Sequence, residues 1–264
     1  ENIDTLLNIL KRCETDLLNK HKAISNVPYN GLSESYNERL YINSDGANRF
    51  FRGSQSSIYL YARAQQLGRK PRSSGAVRLG YSSKELDLEG CIEEAASKTI
   101  SHLDYRQVNT GKYLICFSPE SFLDLINAFS NIFNARSILD GVSLSTRESV
   151  GKALAVSSLN IEDDGLHIGN IGASNFDGEG TPVKKLKIIE RGILKSLLHS
   201  ESTARQFKTI PTGHAGFGSK VSVGPDWLIV SNTEGVKAQD ETLRHDNYMG
   251  KFILIDNLNA LHAG

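Results

Sequence analysis

Long apolar runs are absent from this 264-residue sequence, and none reaches the roughly 18 residues that a membrane-spanning helix needs. The first ten residues, ENIDTLLNIL, also lack the basic-then-apolar order of a secretory signal peptide. These absences argue against a membrane partner and against secretion. The sequence therefore predicts a cytoplasmic protein.

Cysteine is scarce, with three residues at positions 13, 91 and 116. They are far apart, odd in number and never in a Cys-x-x-Cys pair, which argues against a zinc site or a redox dithiol built from cysteine. We expect all three to be small buried residues of a protein in a reducing compartment.

An excess of charge of either sign is also missing, because 30 Lys and Arg residues balance 30 Asp and Glu residues. No global field therefore attracts nucleic acid or an anionic membrane, and a nucleic-acid partner is not expected. The hydrophobic share of 39% and the charged share of 23% are those of an ordinary globular protein. The length suits two domains.

The first half of the chain predicts one domain, residues 1–108, built from helix, hairpin and helix. Residues 3–20 and 84–103 have apolar residues at helical spacing. Between them, aromatic and β-branched residues flank the turn signal Asn43-Ser44-Asp45-Gly46, which predicts a long hairpin. The Gly-, Ser- and Arg-containing stretch 68–83 favours an exposed loop.

The second half predicts a β-rich domain, residues 109–264, which we expect to be incomplete at its end. KYLICF is a candidate strand, and Ser118 followed by Pro119 is typical of a helix start. That helix should bury Phe122, Leu123, Ile126, Phe129, Ile132 and Phe133. Short strands follow, including a hairpin around Glu190-Arg191-Gly192 and the segments DWLIVSN and KFILIDNL. The fold class predicted for the whole chain is α+β.

Common catalytic motifs are missing. The seven histidines are never three or four residues apart, so the helical ligand pair of a zinc peptidase is absent; they lie at positions 21, 102, 167, 199, 214, 245 and 262. There is no Gly-x-Ser-x-Gly elbow. The glycine-rich stretches GEGTPV and GHAGFGSK each lack an essential residue of a phosphate-binding loop.

An acidic group remains, made of Glu162, Asp163, Asp164, Asp177 and Glu179. Two carboxylates with separated pKa values can act as general acid and general base. The alternative is structural, with Asp163-Asp164-Gly165 forming one turn and the Asp177 side chain ordering another. We favour the structural interpretation.

Taken in order, the segments IEDDG, FDGEGTPVKKLKIIERGILKSLLHSESTARQF and PTGHAG resemble the TldD/PmbA family, once called modulators of DNA gyrase. The matching positions are Asp177, Glu179, Gly180, Pro182, Glu190, Gly192, Leu194, Lys195, Thr203, Ala204, Arg205, Thr212 and Gly213. A looser likeness extends from about residue 23 to about residue 230.

The resemblance implies a cytosolic metallopeptidase system that cleaves flexible peptides. In that system a TldD-type subunit carries a His-Glu-x-x-x-His helix and associates with a PmbA-type (TldE) subunit that lacks it. The corresponding helix here, Glu120 to Phe133, contains no histidine. The resemblance therefore implies the PmbA-like branch, with no cofactor in this chain, zinc only in a TldD-like partner and no catalysis by this chain alone.

The resemblance also suggests residues that bind a peptide or a partner: Asp177, Glu179, Gly180, Arg205, Gly213 and His214. No catalytic residue and no metal ligand is assigned. The edge of the hairpin from Val183 to His199 is a candidate for adding a peptide strand. Self-association is an alternative to the TldD-like partner.

Two other functions stay open. One is a regulatory binding protein without proteolysis, as the gyrase label suggests. The other is a self-contained divergent peptidase that uses Asp177, Glu179, His199 and His214.

Overall fold

The computed structural model describes residues 1–233, 252–258 and 261, and it has the expected α+β fold. The chain divides into two compact units, one of residues 1–39 and 50–109 and the other of residues 40–49 and 110–264. The domain boundary between residues 108 and 109 stays a proposal. Within the described ranges, no helix has the length and apolar character needed to cross a membrane.

Unit 1 packs two helices with a three-stranded sheet of order β1-β2-β3. Its elements are α1 (Ile3–Lys20), β1 (Ile24–Ile42), β2 (Asn48–Ala64), β3 (Arg72–Gly80) and α2 (Leu88–Ser101), with a 3₁₀ turn at Ser83–Glu85. Its core includes Cys13, Leu17, Ile58, Leu60, Cys91 and Ile92. The burial expected for cysteine is found at Cys13 and Cys91, whereas Cys116 is half-buried.

The predicted hairpin turn is confirmed. The Asn43 side chain accepts hydrogen bonds from the backbone N–H of Asp45 (3.1 Å) and of Ala47 (2.9 Å). Gly46, between Asp45 and Ala47, has a φ of +88°, a left-handed conformation that glycine adopts without steric cost. Asn43 and Gly46 thus fix the reversal between β1 and β2.

The loop predicted over residues 68–83 is wrong for Arg72–Gly80, which form β3. β3 pairs antiparallel with β2, and its small residues permit close approach: a Cβ on Gly75 would lie 2.4 Å from the Leu60 carbonyl oxygen. On the helix side, Thr99 Oγ1 of α2 donates to the Ser74 carbonyl at 3.0 Å. Glycine and serine are common in exposed loops, which is why their presence predicted a loop. Here their small size lets a strand pack closely against its neighbours.

The described residues of unit 2 form two sheets, a parallel pair β4-β9 and a four-stranded sheet of order β7-β6-β5-β8. Its elements are β4 (Leu114–Phe117), α3 (Pro119–Ala128), α4 (Ala135–Leu139), β5 (Leu159–Asp163), β6 (Leu186–Glu190), β7 (Ile193–Leu194), α5 (Glu201–Phe207), β8 (Leu228–Asn232) and β9 (Phe252–Ile255). The core includes Phe133, Ile161, Ile188, Leu194 and Leu198.

Helix α3 begins as predicted, since Ser118 Oγ accepts a hydrogen bond from the Ser121 N–H at 3.1 Å. The burial predicted for its apolar residues is wrong at Leu123 and Phe129, which are 38% and 52% exposed. The prediction assumed one continuous helix, but α3 ends at Ala128 and a 3₁₀ turn follows, so the buried face changes; Phe133 then enters the core.

The predicted hairpin around Glu190-Arg191-Gly192 is β6–β7, and it turns through two residues. Glu190 pairs with Ile193, leaving Arg191 (φ +50°) and Gly192 (φ +75°) in the turn. Positive φ at both positions is the signature of a type I′ turn.

The outer edge of β7 is already occupied. Leu194 N–H donates to the Lys152 carbonyl at 3.0 Å, and Gly151 N–H donates to the Leu194 carbonyl at 2.8 Å. The suggestion that a peptide strand adds to this hairpin edge is therefore wrong at β7.

Candidate functional site

Asp177 organises the loop FDGEGTP through its carboxylate. Oδ1 accepts hydrogen bonds from the backbone N–H of Glu179 and of Thr181, both at 2.9 Å. Oδ2 accepts one from the Ala215 N–H at 3.0 Å, which ties the loop to a distant segment. The residue is 7% exposed. Because both oxygens hold backbone amides, the structural interpretation of Asp177 fits the geometry better than an acid–base role.

Glu179 links the same loop to α5. Its Oε2 accepts a hydrogen bond from the Glu201 N–H at 2.7 Å, at the first turn of the helix. Ser200 caps that turn as well, since its Oγ accepts from the Thr203 N–H at 3.3 Å. A carboxylate at a helix N-terminus is stabilised by the unpaired amides there.

Gly180 and Gly213 allow the loop and its neighbours to approach closely. Both have positive φ, +79° and +83°. A Cβ on Gly180 would lie 2.4 Å from the Tyr41 ring, and one on Gly213 would lie 2.7 Å from the Pro182 carbonyl oxygen. Arg49 Nε donates to the Gly180 carbonyl at 3.3 Å. The tip of the β1–β2 hairpin, whose residues 40–49 belong to unit 2, thus packs on the FDGEGTP loop.

His214 is buried beside Asp163, which the sequence predicts to lie in the turn Asp163-Asp164-Gly165. Its Nδ1 lies 2.8 Å from Thr212 Oγ1, and its Nε2 lies 3.6 Å from Asp163 Oδ2. Asp163 is fully buried and accepts hydrogen bonds from the backbone N–H of Asp226 and Trp227, both at 2.8 Å. Asp163 therefore connects the end of β5 to the start of β8.

Asp226 lies close to these residues as well, and no motif in the sequence points to it. The residue as a whole is exposed, but its Oδ2 lies close over Gly165. Burial of the carboxyl group raises the pKa of Asp226 to about 6, and the nearby charges of Asp163 and Asp177 add to the effect while His214 opposes it. Asp226 thus interacts electrostatically with His214, Asp163 and Asp177.

His199 immediately precedes Ser200, the N-cap residue of α5. Its Nδ1 is 3.2 Å from Thr203 Oγ1, and the Phe207 ring packs edge-on at 5.1 Å. Burial lowers the pKa of His199 to about 4, with a smaller contribution from His214. The imidazole is therefore neutral at neutral pH.

Arg205 does not join this group. It lies on the exposed face of α5 and pairs with Glu201 one turn earlier, with Nε 2.9 Å from Oε1. Of the residues suggested from the sequence, Asp177, Glu179, Gly180, Gly213 and His214 meet around the loop. Their use in binding a peptide or partner stays a proposal.

The residues do not fit the zinc site that the resemblance implies for its catalytic branch. Within residues 1–233, 252–258 and 261, no three His, Cys, Asp or Glu side chains are grouped to hold a metal ion. Asp177 uses both oxygens on backbone amides, and Asp163 does the same. His245 and His262 lie outside the described residues.

Comparison with protein-family models gives two adjacent matches. Residues 2–103 match the PmbA/TldA metallopeptidase central domain, and residues 110–264 match the PmbA/TldA metallopeptidase C-terminal domain. Together the two matches cover nearly the whole chain.

Curated relatives agree with this assignment. The chain is 25% identical over 214 residues to the metalloprotease PmbA of Escherichia coli O157:H7, covering 81% of this chain and 47% of the relative. It is also 25% identical over 239 residues to a metalloprotease PmbA homolog of Buchnera aphidicola subsp. Baizongia pistaciae, covering 90% of this chain and 52% of the relative. The chain thus spans about half the length of these relatives.

Solved structures share the fold. A Thermotoga maritima MSB8 protein named as a DNA gyrase modulator superposes with a TM-score of 0.86 at 23% identity, over 100% of this chain and 59% of that one. TldE from Thermococcus kodakarensis superposes with a TM-score of 0.80 at 20% identity, over 98% of this chain and 58% of that one. Because the match to the C-terminal domain alone spans residues 110–264, more than half of the sequence, the chain belongs to the PmbA/TldD family of metallopeptidases.

Proposed function

We propose that this chain is the non-metal, PmbA/TldE-like component of a two-subunit cytoplasmic metallopeptidase that acts on flexible peptides. The observation that carries the proposal is the segment Glu120 to Phe133, where a TldD-type subunit would carry its His-Glu-x-x-x-His helix. This segment has no histidine, and its helix α3 starts with Pro119 and ends at Ala128.

The chemistry supports a partner-dependent role. Hydrolysis by a zinc peptidase depends on a metal that brings the pKa of bound water near neutrality. The described residues offer no ligand group for such a metal. A TldD-like subunit would supply the metal centre, and this chain would help to enclose the peptide.

The loop system around Asp177 and Glu179 is the proposed peptide- or partner-binding element. Its two carboxylates accept four backbone N–H groups. Asp177 accepts those of Glu179, Thr181 and Ala215, and Glu179 accepts that of Glu201 at 2.7 Å. Gly180 and Gly213 let it pack without side chains in the way. A loop held this firmly can present backbone groups to a partner at little entropic cost.

Co-expression with a TldD-type subunit tests the proposal. The chain purified alone should contain no stoichiometric zinc and cleave no peptide, whereas the co-purified pair should contain zinc and cleave an unstructured peptide. A pair in which both motif histidines of the TldD-type subunit are replaced is the control and should be inactive. Stoichiometric zinc with cleavage by this chain alone would instead support the self-contained peptidase.

A regulatory role without proteolysis is the second candidate, favoured by the gyrase-modulator name of the Thermotoga maritima neighbour. The same purification distinguishes the regulatory role from the peptidase role. Recovery of a topoisomerase in place of a TldD-type subunit, with no cleavage by the recovered complex, would favour regulation.

A further inference from the structure

A pocket of 360 Å³ in unit 2 has no role in the proposal above. It lies where four segments meet: the turn at Arg147, the start of β6, the stretch after β7 and the end of α5. The FDGEGTP loop does not line it. Its walls combine fixed positive charge with apolar surface.

The charged residues that line this pocket are all positive. Arg147, Lys184 and Lys195 line it, and none of the lining residues is Asp or Glu. Arg147 Nη1 donates to the Gln206 carbonyl at 2.7 Å, and its guanidinium carbon lies 4.5 Å from the centre of the Phe207 ring. These two contacts hold the guanidinium in place without neutralising it.

The two lysines are also poorly neutralised. Lys195 Nζ lies 3.8 Å from Glu190 Oε2, a carboxylate that also pairs with a second lysine, Lys187, at 2.5 Å. Lys184 makes no ion pair with a carboxylate in the described part of the chain, whereas its neighbour Lys185 pairs with Glu162 at 2.7 Å. Two carboxylates interact with the three lining cations, Glu148 with Arg147 and Glu190 with Lys195, and Glu190 is shared with Lys187. The pocket lining therefore keeps an excess of positive charge.

Three of the lining residues are buried, one apolar and two polar: Leu197 is 3% exposed, His199 is 5% exposed and Thr212 is 7% exposed. His199 Nδ1 faces Thr203, and no hydrogen bond involves Nε2 among the described residues. Ile210, 66% exposed, adds an apolar rim next to the cations.

A carboxylate attached to an apolar group suits these surroundings. Arginine and lysine hold carboxylates through charge-assisted hydrogen bonds, and the apolar wall would bury a neighbouring side chain. The C-terminal residue of a peptide combines both features. Inorganic phosphate would satisfy the cations but leave the apolar wall uncovered.

We propose that this pocket binds the C-terminal carboxylate and the apolar last side chain of a peptide. The choice of a peptide as the source of the carboxylate rests on the proposed function. The binding itself requires no metal and no second subunit, so it can be tested on this chain alone, and its failure would leave the co-purification result unaffected.

The probe is an N-acetylated tripeptide, Ala-Ala-Leu, titrated as free acid and as C-terminal amide, with binding measured by calorimetry. The His199 ring signal in NMR, assigned through His199→Gln, gives the location. The free acid should bind at least about tenfold more tightly than the amide. The free energy contributed by one charge-assisted hydrogen bond exceeds the free energy that corresponds to a tenfold change in affinity.

Lys184→Gln should weaken binding of the free acid about tenfold, and the matched variant Lys185→Gln should change it less than about twofold. Both side chains are exposed, so both variants should fold, and circular dichroism checks that they do. Equal binding of acid and amide, equal effects of the two variants, or no binding at millimolar concentration would overturn the proposal. Acetate or inorganic phosphate binding as tightly as the tripeptide would overturn the peptide assignment.

Discussion

At the scale of single residues, buried polar groups explain how the FDGEGTP loop is held. Asp177 and Asp163 each accept backbone amides on both carboxylate oxygens. An acidic side chain used in this way stabilises the backbone around it, and its removal leaves several donors without a partner. The geometry of Asp177 and Asp163 therefore fits the structural interpretation of the acidic group better than an acid–base pair.

His199 makes the stability of unit 2 depend on pH. Its pKa in the folded chain is about 4, below the ordinary value of 6.5, because burial disfavours the charged ring. Between these values the unfolded chain binds a proton that the folded chain does not, so the contribution is complete above 6.5 and is lost as pH falls toward 4. We expect the free energy of unfolding to fall by about 2 kcal/mol from this residue between about pH 7 and about pH 5.

Urea unfolding followed by the fluorescence of Trp227, the single tryptophan, measures this pH effect. Asp226, whose pKa is raised to about 6, acts in the same range with opposite sign and is common to the parent and both variants, so each variant is compared with the parent. His199→Gln should change the difference between the two pH values by about 2 kcal/mol in favour of the lower pH. His102→Gln, a substitution of an exposed histidine after α2, should give the same difference as the parent. A His199→Gln variant with the same pH difference as the parent would contradict the assignment.

At the scale of elements, the hairpin β6–β7 depends on its turn. Arg191 and Gly192 both have positive φ, and Arg191 N–H donates to Asn160 Oδ1 at 2.7 Å. Asparagine and glycine are the preferred residues of a type I′ turn, whereas arginine in a left-handed conformation is strained. Gly192 is further restricted, since a Cβ there would lie 2.3 Å from the Ala155 carbonyl oxygen.

Two substitutions in the turn should therefore act in opposite directions. Arg191→Asn should raise the free energy of unfolding by about 0.5 kcal/mol, because asparagine tolerates positive φ and the backbone donor is kept. Gly192→Ala should lower it by about 2 kcal/mol or more through strain and the steric contact with Ala155. Trp227 fluorescence in urea measures both. A Gly192→Ala variant as stable as the parent would show that the turn relaxes.

Local features could be predicted from the sequence, and contacts between distant segments could not. The Asn43 turn, the Ser118 cap and the turn at Asp177 each depend on residues within a few positions of one another. The bonds of Asp163 to residues 226 and 227 join positions more than 60 apart, so no local pattern signals them. Strand β3 could not be predicted for a related reason. Its glycine and serine residues allow close packing against α2, an element that follows it in the chain.

At the scale of the whole molecule, each unit has its own hydrophobic core. The core of unit 1 contains Cys13 and Cys91, both fully buried, and burial raises the pKa of the Cys91 thiol to about 11. The core of unit 2 draws on other residues, and Trp227 and Cys116 belong to that unit. The chain thus has a natural reporter in each unit: thiol protection in the first and tryptophan fluorescence in the second.

Asp177→Ala should separate the two reporters. It removes the acceptor of the Glu179, Thr181 and Ala215 amides in unit 2, which we expect to cost about 3 kcal/mol. In a Cys116→Ser background, the urea midpoint of Trp227 fluorescence should fall, while the midpoint for labelling of the two remaining thiols should stay the same.

Asp164→Ala, which removes another carboxylate of the acidic group in unit 2, is the control for this experiment and should shift neither midpoint. The expected difference arises because a thiol reacts only as an exposed thiolate, so Cys13 and Cys91 stay protected for as long as the core of unit 1 persists. Equal shifts of both midpoints in Asp177→Ala would mean that the two units unfold as one cooperative body. A variant with unchanged midpoints that no longer supports peptide cleavage with a TldD-type partner would instead return Asp177 to the active site.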